Sequence, residues 1–153
     1  MSEGLSDHQA RALASVLDEI IPPSDDGSFP GAGELGLASY IEQVLQQAPE
    51  FRPVILQGLS TLDELARGRS AQSFAELSSQ EKVEVLNELT STDQVFLPSL
   101  TLHTYIGYYQ HGRVLEALGL EPRPPYPEGY EMKPSDLRLL DPVRRRPKLY
   151  REC

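Results

Sequence analysis

Apolar residues along this chain recur at intervals of three and four and almost nowhere at intervals of two, so the pattern predicts helices and hardly any strand. Ser6 with Gln9 forms a capping box, and Ala10, Leu13, Val16, Leu17 and Ile20 then follow at helical spacing, which predicts a first helix over 7–21. Pro22-Pro23 ends it, and the stretch SDDGSFPGAG is a turn-rich loop in which Pro30, Gly31 and Gly33 oppose regular structure. A second helix is expected from near Glu34, with Leu37, Ile41, Val44 and Leu45 as its stripe. After Pro49 a third carries Phe51, Ile55, Leu59, Leu62 and Ala66 and closes at Gly68. Ser78 and Glu81 form a second capping box, opening a fourth helix with Val83, Leu86 and Leu89 on one side and Glu84 and Glu88 on another.

The next segment differs. Val95, Phe96, Leu97, Leu100, Leu102, Tyr105, Ile106, Tyr108 and Tyr109 leave no wide polar face, and a helix that is apolar nearly all round is expected in the centre of a bundle. Pro98 is compatible only with its first turns, where the missing amide hydrogen has no helical partner. Val114, Leu115 and Leu118, closed by Gly119, make a short last helix.

From Glu121 onward no period is sustained, and seven of the 13 prolines fall between Pro122 and Pro147, which predicts an extended path. Tyr126, Tyr130, Met132, Leu137, Leu139, Leu140, Val143, Leu149 and Tyr150 are too many apolar residues for a solvated linker. The expected fold is therefore all-α: a compact bundle of about five to six helices over 1–120. A proline-rich, basic arm over 121–153 then packs on the body or on a partner.

Composition fits one soluble domain: 153 residues, 39% apolar, and 14 basic against 23 acidic side chains, a net charge of −9. The charge is segregated. Residues 137–153 carry six cations against Asp141 and Glu152, a balance of +4, which leaves −13 on residues 1–136. An acidic body repels phosphate backbones, so nucleic acid is not an expected partner. A single cysteine, Cys153, and three scattered histidines exclude an intramolecular disulfide and a Cys/His zinc spacing. No apolar run approaches the length of a membrane span, and MSEGLSDHQAR reads as neither a secretory nor a twin-arginine leader. The expected compartment is the cytoplasm, or the periplasm if the chain is exported with a partner or its leader is missing.

Candidate chemistry is sparse. Asp25-Asp26 and Asp18-Glu19 could serve as acid/base or metal groups, but Asp25 and Asp26 lie where acidic residues are favoured for turn geometry alone. His103 stands among Tyr105, Tyr108 and Tyr109, a possible proton-handling set, yet His111 is about two helical turns away, too far to share a metal. There is no P-loop, no GxSxG and no HExxH. No catalytic, cofactor-binding or metal-binding residue is assigned.

Four stretches in register, LDEIIPP (17–23) with PGAGELG (30–36), FAELSSQEKVEVLNEL (74–89) and TYIGYYQHGRVLEALGLEPRPPYPEGY (104–130), resemble the gluconate 2-dehydrogenase subunit 3 family, and LLDPVRRRPKLYR resembles the ending of some members. The resemblance implies a small helical, non-catalytic subunit that binds, stabilises or assembles a flavin-dependent sugar or sugar-acid dehydrogenase of the glucose-methanol-choline type. On that reading FAD resides in the partner and none in this chain. The family offers no catalytic residue to carry over. A candidate partner interface consists of Tyr105, Tyr108, Tyr109, Tyr126, Tyr130, Leu140, Val143, Arg145 and Tyr150. Two alternatives stand beside it: a stand-alone or homo-oligomeric helical protein associating through its arm, and a small cofactor-binding or enzymatic bundle around His103.

Overall fold

A computed structural model describes residues 4–124, 126–129, 131 and 134–147. Among these there are seven α-helices, two 3-10 turns and no strand, so the protein is all-α. The chain divides into two units, Met1–Arg123 and Pro124–Cys153.

The first unit holds α1 (Asp7–Ile20), α2 (Leu37–Gln47), α3 (Phe51–Arg67), α4 (Ser79–Thr92), α5 (Phe96–Gln110) and α6 (Gly112–Ala117), with a 3-10 turn at Phe74–Glu76 before α4. Both capping boxes form. The Ser6 side chain accepts from the Gln9 N–H and that of Ser78 from the Glu81 N–H, while Gln9 and Glu81 reach back to the cap amides. α2 begins three residues later than its apolar pattern suggests, because Gly36 adopts φ +73 at the N-cap and the chain turns through 34–36 first. At the end of α3, Gly68 remains right-handed, and the left-handed residue is Ser70 at φ +68.

The apolar stripes converge on one core. Leu13, Val16 and Leu17 of α1, Leu37, Ile41 and Leu45 of α2, Ile55, Leu59 and Leu62 of α3, Val85 and Leu89 of α4 and Val114 of α6 are all buried. Phe74, placed by the 3-10 turn, is also fully enclosed. α5 packs against α1, α2, α3, α4 and α6. Two glycines permit that closeness: a Cβ at Gly58 would run into the Phe96 ring, and one at Gly107 would lie 2.6 Å from Tyr40 Cδ1.

In the second unit the extended path expected from its prolines is interrupted. Leu137–Leu140 forms a 3-10 turn and Asp141–Arg144 a short helix, α7. Asp136 accepts the Arg138 N–H at 3.1 Å, and Pro142 sits in the first turn of α7, where a missing amide hydrogen costs nothing. Among the described residues of this unit none is buried.

Candidate functional site: the outer face of α5

The candidate surface lies on the fifth helix, and its geometry begins with how firmly the other side is fixed. Phe96, Leu100, Thr104, Gly107 and Tyr108 face inward and are buried. Thr104, fully enclosed, donates its hydroxyl to the Leu100 carbonyl 2.7 Å away. The Tyr108 hydroxyl donates to the Pro30 carbonyl at 2.9 Å and ties the helix to the loop between α1 and α2. Burial, with a smaller contribution from Tyr109, pushes the Tyr108 phenol above its usual value. Tyr108 is therefore a core residue, and its expected place in a partner interface is corrected.

The opposite side is apolar and bare. Leu102 is 59% exposed, Tyr109 50%, Tyr105 45% and Ile106 38%, and Val95 at the N-cap is 56% exposed. With exposed Pro98 they follow one another at intervals of three and four, a single seam opposite the buried stripe. Tyr105 and Tyr109 stack, their ring centroids 6.0 Å apart, while Tyr108 meets Tyr109 edge-on at 5.3 Å. No Asp, Glu, Lys or Arg occurs between Asp93 and Arg113. The expectation of a helix enclosed on all sides is thus corrected: α5 is central in its contacts, yet one whole face meets solvent.

The other candidates of the sequence fall in different places. Tyr126 is 85% exposed, and Leu140, Val143 and Arg145 are exposed in the second unit. Tyr130 and Tyr150 lie outside the described residues. His103 is half-buried with its ring edge-on to Phe51, centroids 5.4 Å apart, and His111 caps α6 by accepting the Arg113 N–H on Nδ1. Both histidines thus have structural contacts, and of the three tyrosines near His103 in sequence Tyr108 turns into the core while Tyr105 and Tyr109 are exposed. The described clefts lie elsewhere. One of about 300 Å³ is lined by His8, Arg11, Gln72, Ser73, Ala75 and Glu76, and one of about 420 Å³ lies between Val54, Gln57 and the connection ahead of α5. Among the described residues no three His, Cys, Asp or Glu side chains cluster to hold a metal. None of their helices is long and apolar enough to cross a membrane.

One member of each acidic pair is used for folding. Asp26 accepts the hydroxyls of Ser24 and Ser28 at 2.6 and 2.7 Å and the Ser28 N–H at 3.0 Å, bonds that lower its pKa to about 2. Asp18 accepts the Gly33 N–H at 2.7 Å and the Glu34 N–H at 3.3 Å. These amides belong to Gly31-Ala32-Gly33-Glu34-Leu35-Gly36, which corrects the expectation that the chain holds no G-x-G-x-x-G: the spacing is present, at the entrance of α2. In a dinucleotide site such a loop follows a strand and its amides face a phosphate. Here helix α1 precedes it, and the chain's own carboxylate takes the place an anion would occupy. A Cβ at Gly31 or Gly33 would strike Asp18, so these glycines serve the approach of α1.

One internal pair was not visible beforehand. Asp63 is buried on α3, bonded to His8 Nε2 at 2.7 Å and to the Phe74 N–H at 3.0 Å. Its only signal in the sequence is a carboxylate set within the stripe Leu59, Leu62 and Ala66.

Comparison with curated proteins and with solved structures returns no match. The model of a protein family described as gluconate 2-dehydrogenase subunit 3 matches residues 7–121, the whole helical unit from the first residue of α1 to beyond α6. The chain belongs to the gluconate 2-dehydrogenase subunit 3 family.

Proposed function

We propose that this chain is a non-catalytic subunit that binds and stabilises an FAD-dependent dehydrogenase of sugars or sugar acids, of the glucose-methanol-choline type. The flavin and the hydride chemistry belong to the partner, and this chain supplies a docking surface. The observation that carries the reading is the outer face of α5, an apolar, uncharged seam on a helix whose inner face is locked into the core. Folding alone does not require it, and contiguous exposed apolar surface of this kind marks interaction sites. Membership of a family described as a dehydrogenase subunit supports the choice of partner. The exposed apolar residues and cations of the second unit, including Leu140, Val143 and Arg145, offer a second contact suited to an acidic surface.

The test is affinity purification of the chain from its native cells, with a visible absorbance spectrum of the eluate. The expected result is a yellow flavoprotein in stoichiometric ratio. A colourless eluate containing this chain alone contradicts the reading and favours a self-associating helical protein.

A further inference from the structure

We infer that the outer face of α5 receives one uncharged α-helical ridge of the dehydrogenase subunit, packed along Val95, Pro98, Leu102, Tyr105, Ile106 and Tyr109. This inference rests on the dehydrogenase reading above and specifies its contact. The spacing sets the shape of the occupant. Positions 95, 98, 102, 105 and 109 alternate steps of three and four, the period at which one helix offers holes for the knobs of another. From Val95 to Tyr109 the seam is about 20 Å long, which matches about four turns of a partner helix.

Charge sets the chemistry of the occupant. Between Asp93 and Arg113 there is no ionic group, so a Lys or Glu at the margin of the incoming ridge would be desolvated without a counter-charge. The same balance argues against the other occupants. Residues 1–123 hold seven basic and eighteen acidic side chains, a net −11. Pairing α5 with α5 of a second copy would bring together two bodies that each carry this negative charge, a repulsion that salt at physiological strength screens only in part. An anionic membrane would be repelled by the same body, and the seam lacks the lysines and arginines that interfacial helices place beside their apolar face. A small molecule would need a concavity, and the lining of the cleft that Val95 borders, Val54, Gln57 and Thr92 to Gln94, does not include Leu102, Tyr105 or Tyr109.

The experiment titrates the full-length chain against the purified dehydrogenase subunit, with the variants Leu102→Glu, Leu102→Met and Val83→Glu. Val83, 48% exposed on α4, serves as the control. The expected results are a loss of at least about a hundredfold in affinity for Leu102→Glu, a change within about tenfold for Leu102→Met, and none for Val83→Glu. Thermal melting checks that each variant folds. Wild-type binding that Leu102→Glu leaves intact overturns this inference alone. So does a free chain that light scattering finds dimeric and Leu102→Glu renders monomeric, or one that sediments with anionic vesicles through the seam. A wild-type chain that never binds the dehydrogenase overturns the dehydrogenase reading itself, and this inference with it.

Discussion

α4 and α5 are neighbours of similar length, and they solve the same problem differently. α4 buries Val85, Leu86 and Leu89 and turns Glu84, Asn87 and Glu88 to water, with Val83 its one exposed large apolar residue and Arg69 paired to Glu88 at 2.9 Å on its surface. α5 buries an equally firm stripe but presents Leu102, Tyr105, Ile106 and Tyr109 to the same solvent. One helix is complete within its own chain. The other carries more apolar surface than this fold consumes, and the surplus is concentrated on one face instead of scattered. The difference separates stability from recognition: the inner side of α5 belongs to the core, and the outer side is available to a partner.

That separation can be broken from either side. The largest expected effect is on the inner face, where Phe96→Ala should cost about 3–5 kcal/mol in urea unfolding, since the ring fills space against Gly58 that nothing else can occupy. Tyr108→Phe should cost about 1–3 kcal/mol by leaving the Pro30 carbonyl without its donor. Its pH signature has a definite sign. Burial raises the Tyr108 pKa, so the stability tied to its protonated hydroxyl is present below the ordinary value near 10 and is lost as pH rises through the folded value. Thermal melts of the wild type should therefore fall on the alkaline side, and the Phe variant should show a flatter decline. On α4, Ser78→Ala should cost about 1 kcal/mol by removing the cap. The Ser78 hydroxyl and amide hold the Glu81 carboxyl below its usual 4.5. That contribution is present above the unfolded value and is lost as pH falls through the folded one, so Ser78→Ala should shallow the acid limb of a stability profile. The smallest effect belongs to the outer face: Leu102→Glu should change stability by no more than about 0.5 kcal/mol by calorimetry. A large loss there would show that the seam serves the fold after all.

What could be read from the sequence was whatever is local. Ser6 with Gln9 and Ser78 with Glu81 are each three residues apart, and both boxes stand where the pattern puts them. Helices α1 and α3 likewise follow stripes contained within a few turns, whereas on α4 the expected stripe is corrected: Val83 is exposed and Val85 joins Leu86 and Leu89 in the core. The orientation of α5 could not be read, because a helix apolar all round has no preferred face on paper. Only packing against Tyr40, Gly58 and Pro30 decides that Tyr108 turns inward and Tyr109 outward. Asp63 and His8 are 55 residues apart, and no period links them. In the GAGELG loop the spacing resembles a nucleotide fingerprint, and only the placement of Asp18 shows that its amides are already taken. The 3-10 turn and α7 between 137 and 144 were hidden by prolines, of which Pro142 is placed to start a helix, not to prevent one.

The central claim is that the outer face of α5 meets the dehydrogenase, and site-specific photo-crosslinking tests it most directly. With benzoylphenylalanine in place of Tyr105, and in a second variant in place of Val83, irradiation of the co-expressed complex should join the dehydrogenase subunit to position 105 and not to position 83. A cross-link from position 83 alone, or from position 105 only to a second copy of this chain, would contradict the account.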